Sequence, residues 1–160
     1  MNYKVVKIQQ TDNLNICELY EKVFGKPMCE FNSSEIYSWF YFENLYKKNY
    51  SRGLHNGEAF SSFWGFIPID CKINEKILKG SLSFQLVSTP EILGATLLLW
   101  KEIKKDIKND GVALIFEFNN ENSYLLLKEM GWKIEKTPIL INILHPFKLM
   151  YDFIRKKINN

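Results

Sequence analysis

The sequence predicts one mixed α/β domain of the α+β kind, built on a largely antiparallel sheet. Three observations predict it: a strand pattern followed by two helical patterns, three consecutive strand patterns joined by turn signals, and an alternation of helix and strand after Pro90 that requires a parallel connection. A chain of 160 residues, 46% hydrophobic and 15% aromatic, can bury such a core without disulfides or metal.

Residues 3 to 9 alternate, Tyr3, Val5 and Lys7 against Lys4, Val6 and Ile8, as a first strand does. Thr11 or Asp12 is placed to cap a helix whose Ile16, Tyr20, Val23 and Phe24 share one face, and Gly25 with Pro27 ends it. Asn32 and Glu35 have the spacing of a reciprocal cap for a second helix, with Ile36, Trp39, Phe40, Glu43, Leu45 and Tyr46 forming a wide aromatic face. Core is the ordinary use of such a face; a wall beside a substrate slot is the other. Strands follow over 52–56, 59–69 and 79–89, separated by Asn56-Gly57 and by a turn near Asn74. In the last of them Leu82, Phe84 and Leu86 are expected on one face, Ser83, Gln85 and Val87 on the other.

A helix beginning beside Gly94 turns Leu93, Leu97, Trp100, Ile103 and Ile107 inward and Lys101, Lys104, Lys105 and Lys108 outward, until Asn109-Asp110-Gly111 stops it. Residues 112 to 118 are nearly continuously apolar, which predicts a strand buried on both faces. A helix from about Asn120 to Met130, closed by Gly131, and two strands over 132–136 and 139–144 complete the order β-α-α-β-β-β-α-β-α-β-β.

The net charge of +3 is spread along the chain, which argues against nucleic acid as a partner. Cys17, Cys29 and Cys71 are odd in number and form no C-x-x-C pair, and only His55 and His145 stand beside them as nitrogen ligands. The expectation is no metal, no disulfide and reduced thiols in a cytoplasmic protein. The first ten residues lack the pattern of a secretory signal, and no apolar run approaches the ~20 residues of a transmembrane segment.

The loop Pro90-Glu91-Ile92-Leu93-Gly94-Ala95-Thr96 joins a strand to a helix N-terminus, where free backbone N–H groups and the helix dipole favour an anion. A second block runs Phe116-Glu117-Phe118-Asn119-Asn120-Glu121-Asn122-Ser123-Tyr124 on to Lys128-Glu129-Met130-Gly131-Trp132. In position and order these blocks resemble the pyrophosphate loop and the asparagine-started helix of the GCN-related N-acetyltransferase (GNAT) superfamily. The second is nearest a subgroup with a Phe-Pro-Asn-x-x-Ser motif before a glycine-aromatic pair. Phe24-Gly25-Lys26-Pro27 and Gly65-Phe66-Ile67-Pro68 are similar to the same subgroup. The resemblance covers residues 3 to 144 and implies a mixed, mostly antiparallel sheet with helices on both faces.

It further implies an N-acetyltransferase in which acetyl-CoA serves as cosubstrate and a small-molecule amine, an amino sugar or amino acid conjugate, attacks the thioester directly. The backbone of Leu86, Val87 and Ser88 would pair with the pantetheine arm and donate to the oxyanion. Gly94, Ala95 and Thr96 would receive the diphosphate, and Asn119 or Asn120 with Ser123 match the family's asparagine and small residue. Glu117, at the end of an apolar strand, is the first choice of base, with a solvated strand-end carboxylate as its ordinary reading. Tyr124 is the nearest hydroxyl to the position of the family's thiolate-protonating tyrosine, which Leu127 fills here, and water is the other proton source. His55 and Glu58 beside the Asn56-Gly57 turn, and Ser83 and Gln85 on the coenzyme strand, are further candidates for the acceptor side.

Glu91 in place of Arg or Gln, Thr96 in place of a small residue, and Leu127 support a second reading, a degenerate GNAT-fold binding or interaction module. An aminoacyl-tRNA-using transferase of related fold is a third, and it would ask for a basic groove. The domain is expected over 1–146. The remainder, 147–160, with Phe147, Tyr151, Ile154 and Ile158 at helical offsets among basic residues, reads as an amphipathic tail. That tail would dock on the domain, form a homodimer contact, lie on an anionic membrane, or lead to a second domain.

Overall fold

A computed structural model describes residues 3–25, 34–90, 92–117 and 121–133, with the backbone alone at 121 and 122. The chain divides into two compact units, Met1–Phe118 and Asn119–Asn160.

In the first unit the strands β1 (Lys4–Lys7), β2 (Arg52–His55), β3 (Phe60–Ile73), β4 (Lys76–Ser88) and β5 (Leu114–Glu117) lie in that order in one sheet. Every pair is antiparallel except β4 with β5. That parallel pair is connected by the helix α3 (Ala95–Asn109), while α1 (Asn13–Phe24) and α2 (Ser34–Tyr41) join β1 to β2. The β3–β4 hairpin turns on Asn74 and Glu75, both with positive φ, as a two-residue turn requires.

A 3-10 turn at Gln10–Asp12 precedes α1. The Asp12 carboxylate accepts the Gln9 N–H at 2.8 Å, so it closes that turn instead of capping α1. Gly25 ends α1 with φ +85. The helix buries Ile16, Leu19 and Tyr20, and Phe24 stays partly exposed with its ring 5.6 Å from that of Tyr20.

The inward face of α2 differs from the expected one. Tyr37 and Tyr41, four residues apart, go into the core, while Trp39 is exposed and Leu45 lies beyond the helix end, exposed as well. The tyrosine rings are stacked with centroids 5.8 Å apart and meet Phe63 at 6.2 and 5.6 Å, edge-on. Such pairs contribute about 0.5–1.5 kcal/mol each beyond the area they bury. With Ile8, Ile16, Leu19, Tyr20, Phe60 and Val87 they form the core between α1, α2 and the sheet.

The alternation expected along β4 fails at Gln85. Trp64 pairs with Leu86 but Gly65 pairs with Phe84, so Gln85 is an extra residue in β4, a bulge with φ +63. A one-residue insertion flips every later side chain to the other face. Val87 therefore joins Phe84 on the α1–α2 face, and Leu86 shares the opposite face with Ser83.

That opposite face is covered by α3. The helix starts at Ala95, and its buried stripe is Ala95, Leu99, Ile103 and Ile107. Leu93 and Leu97, expected inward, are exposed, Leu93 because it precedes the helix and Leu97 because it lies two residues from Ala95 and Leu99 of the buried stripe, on the opposite side. Trp100 lies against Trp64 and Phe66, with ring centroids 5.8 and 6.1 Å apart. Arg52 of β2 forms an ion pair with Asp106, and Asp110 accepts from Tyr50 Oη at 2.7 Å and from Lys48 Nζ. Gly111 then donates to Lys108 and Val112 to Ile107, the paired bonds of a Schellman stop.

β5 was expected to be buried on both faces, yet none of its residues is fully buried and Phe116 is exposed. Among the described residues it has a strand neighbour on one side only. In the second unit α4 spans Glu121–Glu129 and ends in the same Schellman pattern, with Gly131 at φ +84 donating to Lys128 and Trp132 donating to Leu127. The expected strands over 132–136 and 139–144 lie, from residue 134 on, outside the described residues. So do Pro27, Cys29, Asn32, Glu91, Asn119, Asn120 and the tail 147–160. No helix of the described residues is long and apolar enough to cross a membrane.

Candidate active site

The site begins where β4 and β5 part. Their pairing runs from Gly80 with Leu114 to Ser83 with Glu117, and β4 continues to Ser88 with no further partner on that edge among the described residues. Backbone N–H and C=O groups along such an edge are obligatory hydrogen-bonding groups, so an extended ligand finds a strand to pair with. The Gln85 bulge sits two residues past the last pair and re-aims that edge.

The bulge is held from the α2 side. Tyr41, fully buried, donates its hydroxyl to Gln85 Oε1 at 2.8 Å and approaches the Phe84 carbonyl at 3.3 Å. A Cβ at Gly65 would stand 2.1 Å from the Tyr41 hydroxyl and 2.4 Å from the Phe84 carbonyl, so only glycine lets these groups meet. Phe84 in turn lies 5.1 Å from Phe40, and Phe40 lies 4.8 Å from the exposed Trp39. An aromatic array thus leads from α2 to the bulge.

At its far end β4 leads into the loop before α3. Gly94 has φ +82, and an added Cβ there would meet nothing within 4 Å, so the backbone is both left-handed and open to approach. The first α3 bond inside the helix is Leu98 to Gly94, which leaves the Thr96 and Leu97 N–H groups without an intrahelical acceptor. Thr89, buried just before the loop, has a hydroxyl with no hydrogen-bond partner among the described residues. Ser88 is tied to Ser62 at 2.7 Å and to its neighbour's carbonyl. Ala95 is buried and Thr96 half-buried.

On the α3 face Glu117 is half-buried at the last β4–β5 pair. Ser83 Oγ donates to its Oε2 at 2.5 Å, and Trp64 Nε1 donates to Ser83 Oγ at 2.8 Å. Burial pushes the Glu117 carboxyl above the usual carboxylate range, and the hydrogen bonds from Ser83 and Trp64 oppose that rise.

The structure brings together Glu117 and Ser83 on the α3 face, whereas Gln85 is turned to Tyr41 on the other face and Leu86 to Ser88 continue along β4 beyond the last pair with β5. The Val87 side chain belongs to the core, so only its backbone is available to the site. His55 is engaged in the β2–β3 turn, where its Nδ1 accepts the Gly57 N–H at 3.0 Å, and Glu58 is exposed beside it. Ser123 and Tyr124 stand on α4 in the second unit, Ser123 half-buried and Tyr124 exposed. Leu127 there is buried. Cys17 and Cys71 are free and half-buried, and burial followed by the nearby Glu21 pushes the Cys17 thiol up, away from nucleophilic use. Tyr41 and Trp64 were missed as site residues. Gly65 was the available signal for the former, since a glycine inside a strand marks a close approach.

No protein-family model and no curated protein sequence matches the chain. Solved structures do match. Glucosamine-6-phosphate N-acetyltransferase from Arabidopsis thaliana has a TM-score of 0.66 at 10% identity over 91% of this chain and 100% of its own. A GCN5-related N-acetyltransferase from Ralstonia eutropha has 0.66 at 15% identity over 90% and 100%. The enzyme AAC(6')-Iy, bound to the bisubstrate analogue CoA-S-monomethyl-acetylneamine, has 0.67 at 9% identity over 89% and 99%. The fold of this chain is that of the GNAT acyl-CoA N-acyltransferases, a mixed, mostly antiparallel sheet with helices on both faces.

Proposed function

We propose that the chain is an acetyl-CoA-dependent N-acetyltransferase that moves the acetyl group to a small-molecule amine by direct attack. The observation that carries this is the β4 edge beyond Ser83, which has no strand partner among the described residues, is bulged at Gln85 and leads to a helix N-terminus at Gly94. Those features fit the cosubstrate: an edge for the pantetheine amides, open left-handed backbone at Gly94 for a diphosphate, and at the start of that loop a Thr89 hydroxyl with no partner among the described residues.

In this reading Glu117 takes a proton from the acceptor ammonium, and the freed amine attacks the thioester carbonyl carbon. N–H groups of Leu86 to Ser88 donate to the oxygen as it becomes negative. The C–N bond forms, the C–S bond breaks, the departing thiolate takes a proton from water or from Tyr124, and the remaining extra proton on the nitrogen passes to the hydroxide or tyrosinate so formed. Gly94, Ala95 and Thr96 hold the diphosphate, with Asn119, Asn120 and Ser123 as the family-matched positions of the second unit. The acceptor class is an amino sugar or amino acid conjugate, in keeping with neighbours named for glucosamine 6-phosphate and for an acetylneamine analogue. In the same reading the domain runs over 1–146, the tail at 147–160 docks on that domain or forms a homodimer contact, and the protein works in the cytoplasm.

A second reading, a degenerate GNAT-fold binding module, is favoured by Leu127, which is buried as core at the position where the family places its acidic tyrosine. The two separate in one assay. Acetyl-CoA is incubated with a panel of amino sugars and amino acid conjugates, and released CoA thiol is measured. Amine-dependent release that Glu117→Gln suppresses supports the transferase; acetyl-CoA binding without release for any amine supports the module.

A further inference from the structure

One buried polar string in the first unit has no part in binding the cosubstrate. Trp64 Nε1–H donates to Ser83 Oγ at 2.8 Å, and Ser83 Oγ–H donates to Glu117 Oε2 at 2.5 Å. Trp64 and Ser83 are 0% and 1% exposed, and the indole is wedged against Phe66 and Trp100 with centroids 5.2 and 5.8 Å away. Neither side chain can rotate without opening a void in close-packed core.

A serine hydroxyl carries one proton and two lone pairs. With the indole N–H occupying a lone pair, the hydroxyl proton is directed at the carboxylate. The string therefore holds Oε2 of Glu117 at the last β4–β5 pair, with the Trp64 indole also acting on the carboxyl, and among the described residues the other oxygen accepts no hydrogen bond from Ser83. Among the described residues Glu117 has no ion pair. Charged groups on the neighbouring elements are Arg52 of β2, paired with Asp106 of α3, then Glu102 and the exposed lysines of α3, Asp70 and Lys72 of β3, and Lys76 and Lys79 at the start of β4. None of these appears among the influences on Glu117, which are its burial, Ser83 and Trp64.

We propose that Ser83, oriented by Trp64, is a positioning residue that holds one carboxylate oxygen of Glu117 so that the other faces the acceptor ammonium. This rests on Glu117 as the base. The alternative use of a buried Trp-Ser pair is core satisfaction alone, which would leave the protonation of Glu117 indifferent to Ser83.

The first readout needs no acceptor. The indole N–H resonance of Trp64, assigned with Trp64→Phe, is followed by NMR across pH. It should titrate with Glu117 and stop titrating in Glu117→Gln. In Ser83→Ala the midpoint should move to higher pH, because losing a hydrogen bond to a charged group makes the proton bind about tenfold more tightly. Ser83→Thr, which keeps the hydroxyl, should restore it. The second readout is the acid limb of kcat/KM with acetyl-CoA and with glucosamine and neamine as probe amines. It should move the same way in Ser83→Ala while the KM for acetyl-CoA stays unchanged. An unmoved Trp64 titration in a folded Ser83→Ala protein overturns the proposal, whether or not either probe is acetylated. Full turnover in Glu117→Gln overturns the base reading instead, even where the Trp64 titration still reports the string.

Discussion

The two faces of the sheet are made by the same strands yet carry opposite chemistry. The α1–α2 face is a cluster of rings, Tyr20, Tyr37, Tyr41, Phe60 and Phe63, whose tyrosine hydroxyls are so desolvated that burial pushes Tyr20, Tyr37 and Tyr41 well above the phenol range. The α3 face mixes rings with polar groups that answer one another: Arg52 with Asp106, Ser62 with Ser88, Trp64 with Ser83 and Glu117. The first face is close-packed rings with a few buried hydroxyls bonded at its margin, and the second carries paired polar groups, among them the half-buried carboxyl of Glu117. The Gln85 bulge is the point where the two meet, since it is clamped from the first face and shapes the edge that the second serves.

The comparison breaks most readily at Phe63. Phe63→Ala should lower stability by about 3–5 kcal/mol, measured by urea unfolding, because it hollows the ring cluster. Next comes Glu117→Gln, with a roughly hundredfold loss in kcat/KM, or about 2.7 kcal/mol of transition-state stabilisation. Its effect on stability has the opposite sign. A carboxyl raised by burial loses stability as pH climbs from its ordinary 4.5 through its higher folded value, so the variant should flatten that decline. Unchanged stability across that range would mean the carboxylate is well solvated.

Gly65→Ala should cost about 1–3 kcal/mol, read in the same unfolding experiment, as its Cβ displaces the Tyr41 hydroxyl from the bulge. A loss of acetyl-CoA affinity beyond that of an equally destabilised Phe63 variant would sharpen the link between clamp and edge. The smallest effect belongs to Asp110, at the C-terminal end of α3. Hydrogen bonds from Lys48 and then Tyr50 hold its carboxyl below the usual carboxylate range. That stability is present above its ordinary 3.8 and is lost as pH falls through the lower folded value. Asp110→Asn should cost about 1 kcal/mol at neutral pH, a melting drop of about 3 °C that shrinks in acid.

Much of this was legible in the sequence where a single residue type forces a backbone state. Gly25, Gly94, Gly111 and Gly131 marked their helix ends, and the parallel β4–α3–β5 connection followed from periodicity alone. Glu117 was visible because a carboxylate in VALIFEF needs a reason. What could not be read depends on register. The alternation of β4 runs through Gln85 without a break, so the bulge and the sides taken by Leu86 and Val87 emerge only from pairing with β3. On α2 hydrophobicity pointed to Trp39 and Leu45, whereas the core selected the two tyrosines whose spacing matches one helical turn. The partners of Glu117 lie 34 and 53 positions away in the chain and meet it only across three strands.

The claim that the open β4 edge and the Gly94 loop receive acetyl-CoA is tested most directly by the melting temperature with and without that ligand. At about 100 times its dissociation constant the ligand adds roughly 2.7 kcal/mol, which should raise the midpoint by roughly 5–10 °C. Gly94→Val should reduce the rise measured from its own ligand-free midpoint, which the strain of a β-branched residue at φ +82 lowers. A midpoint unmoved by millimolar acetyl-CoA would contradict the account and leave the degenerate binding module in its place.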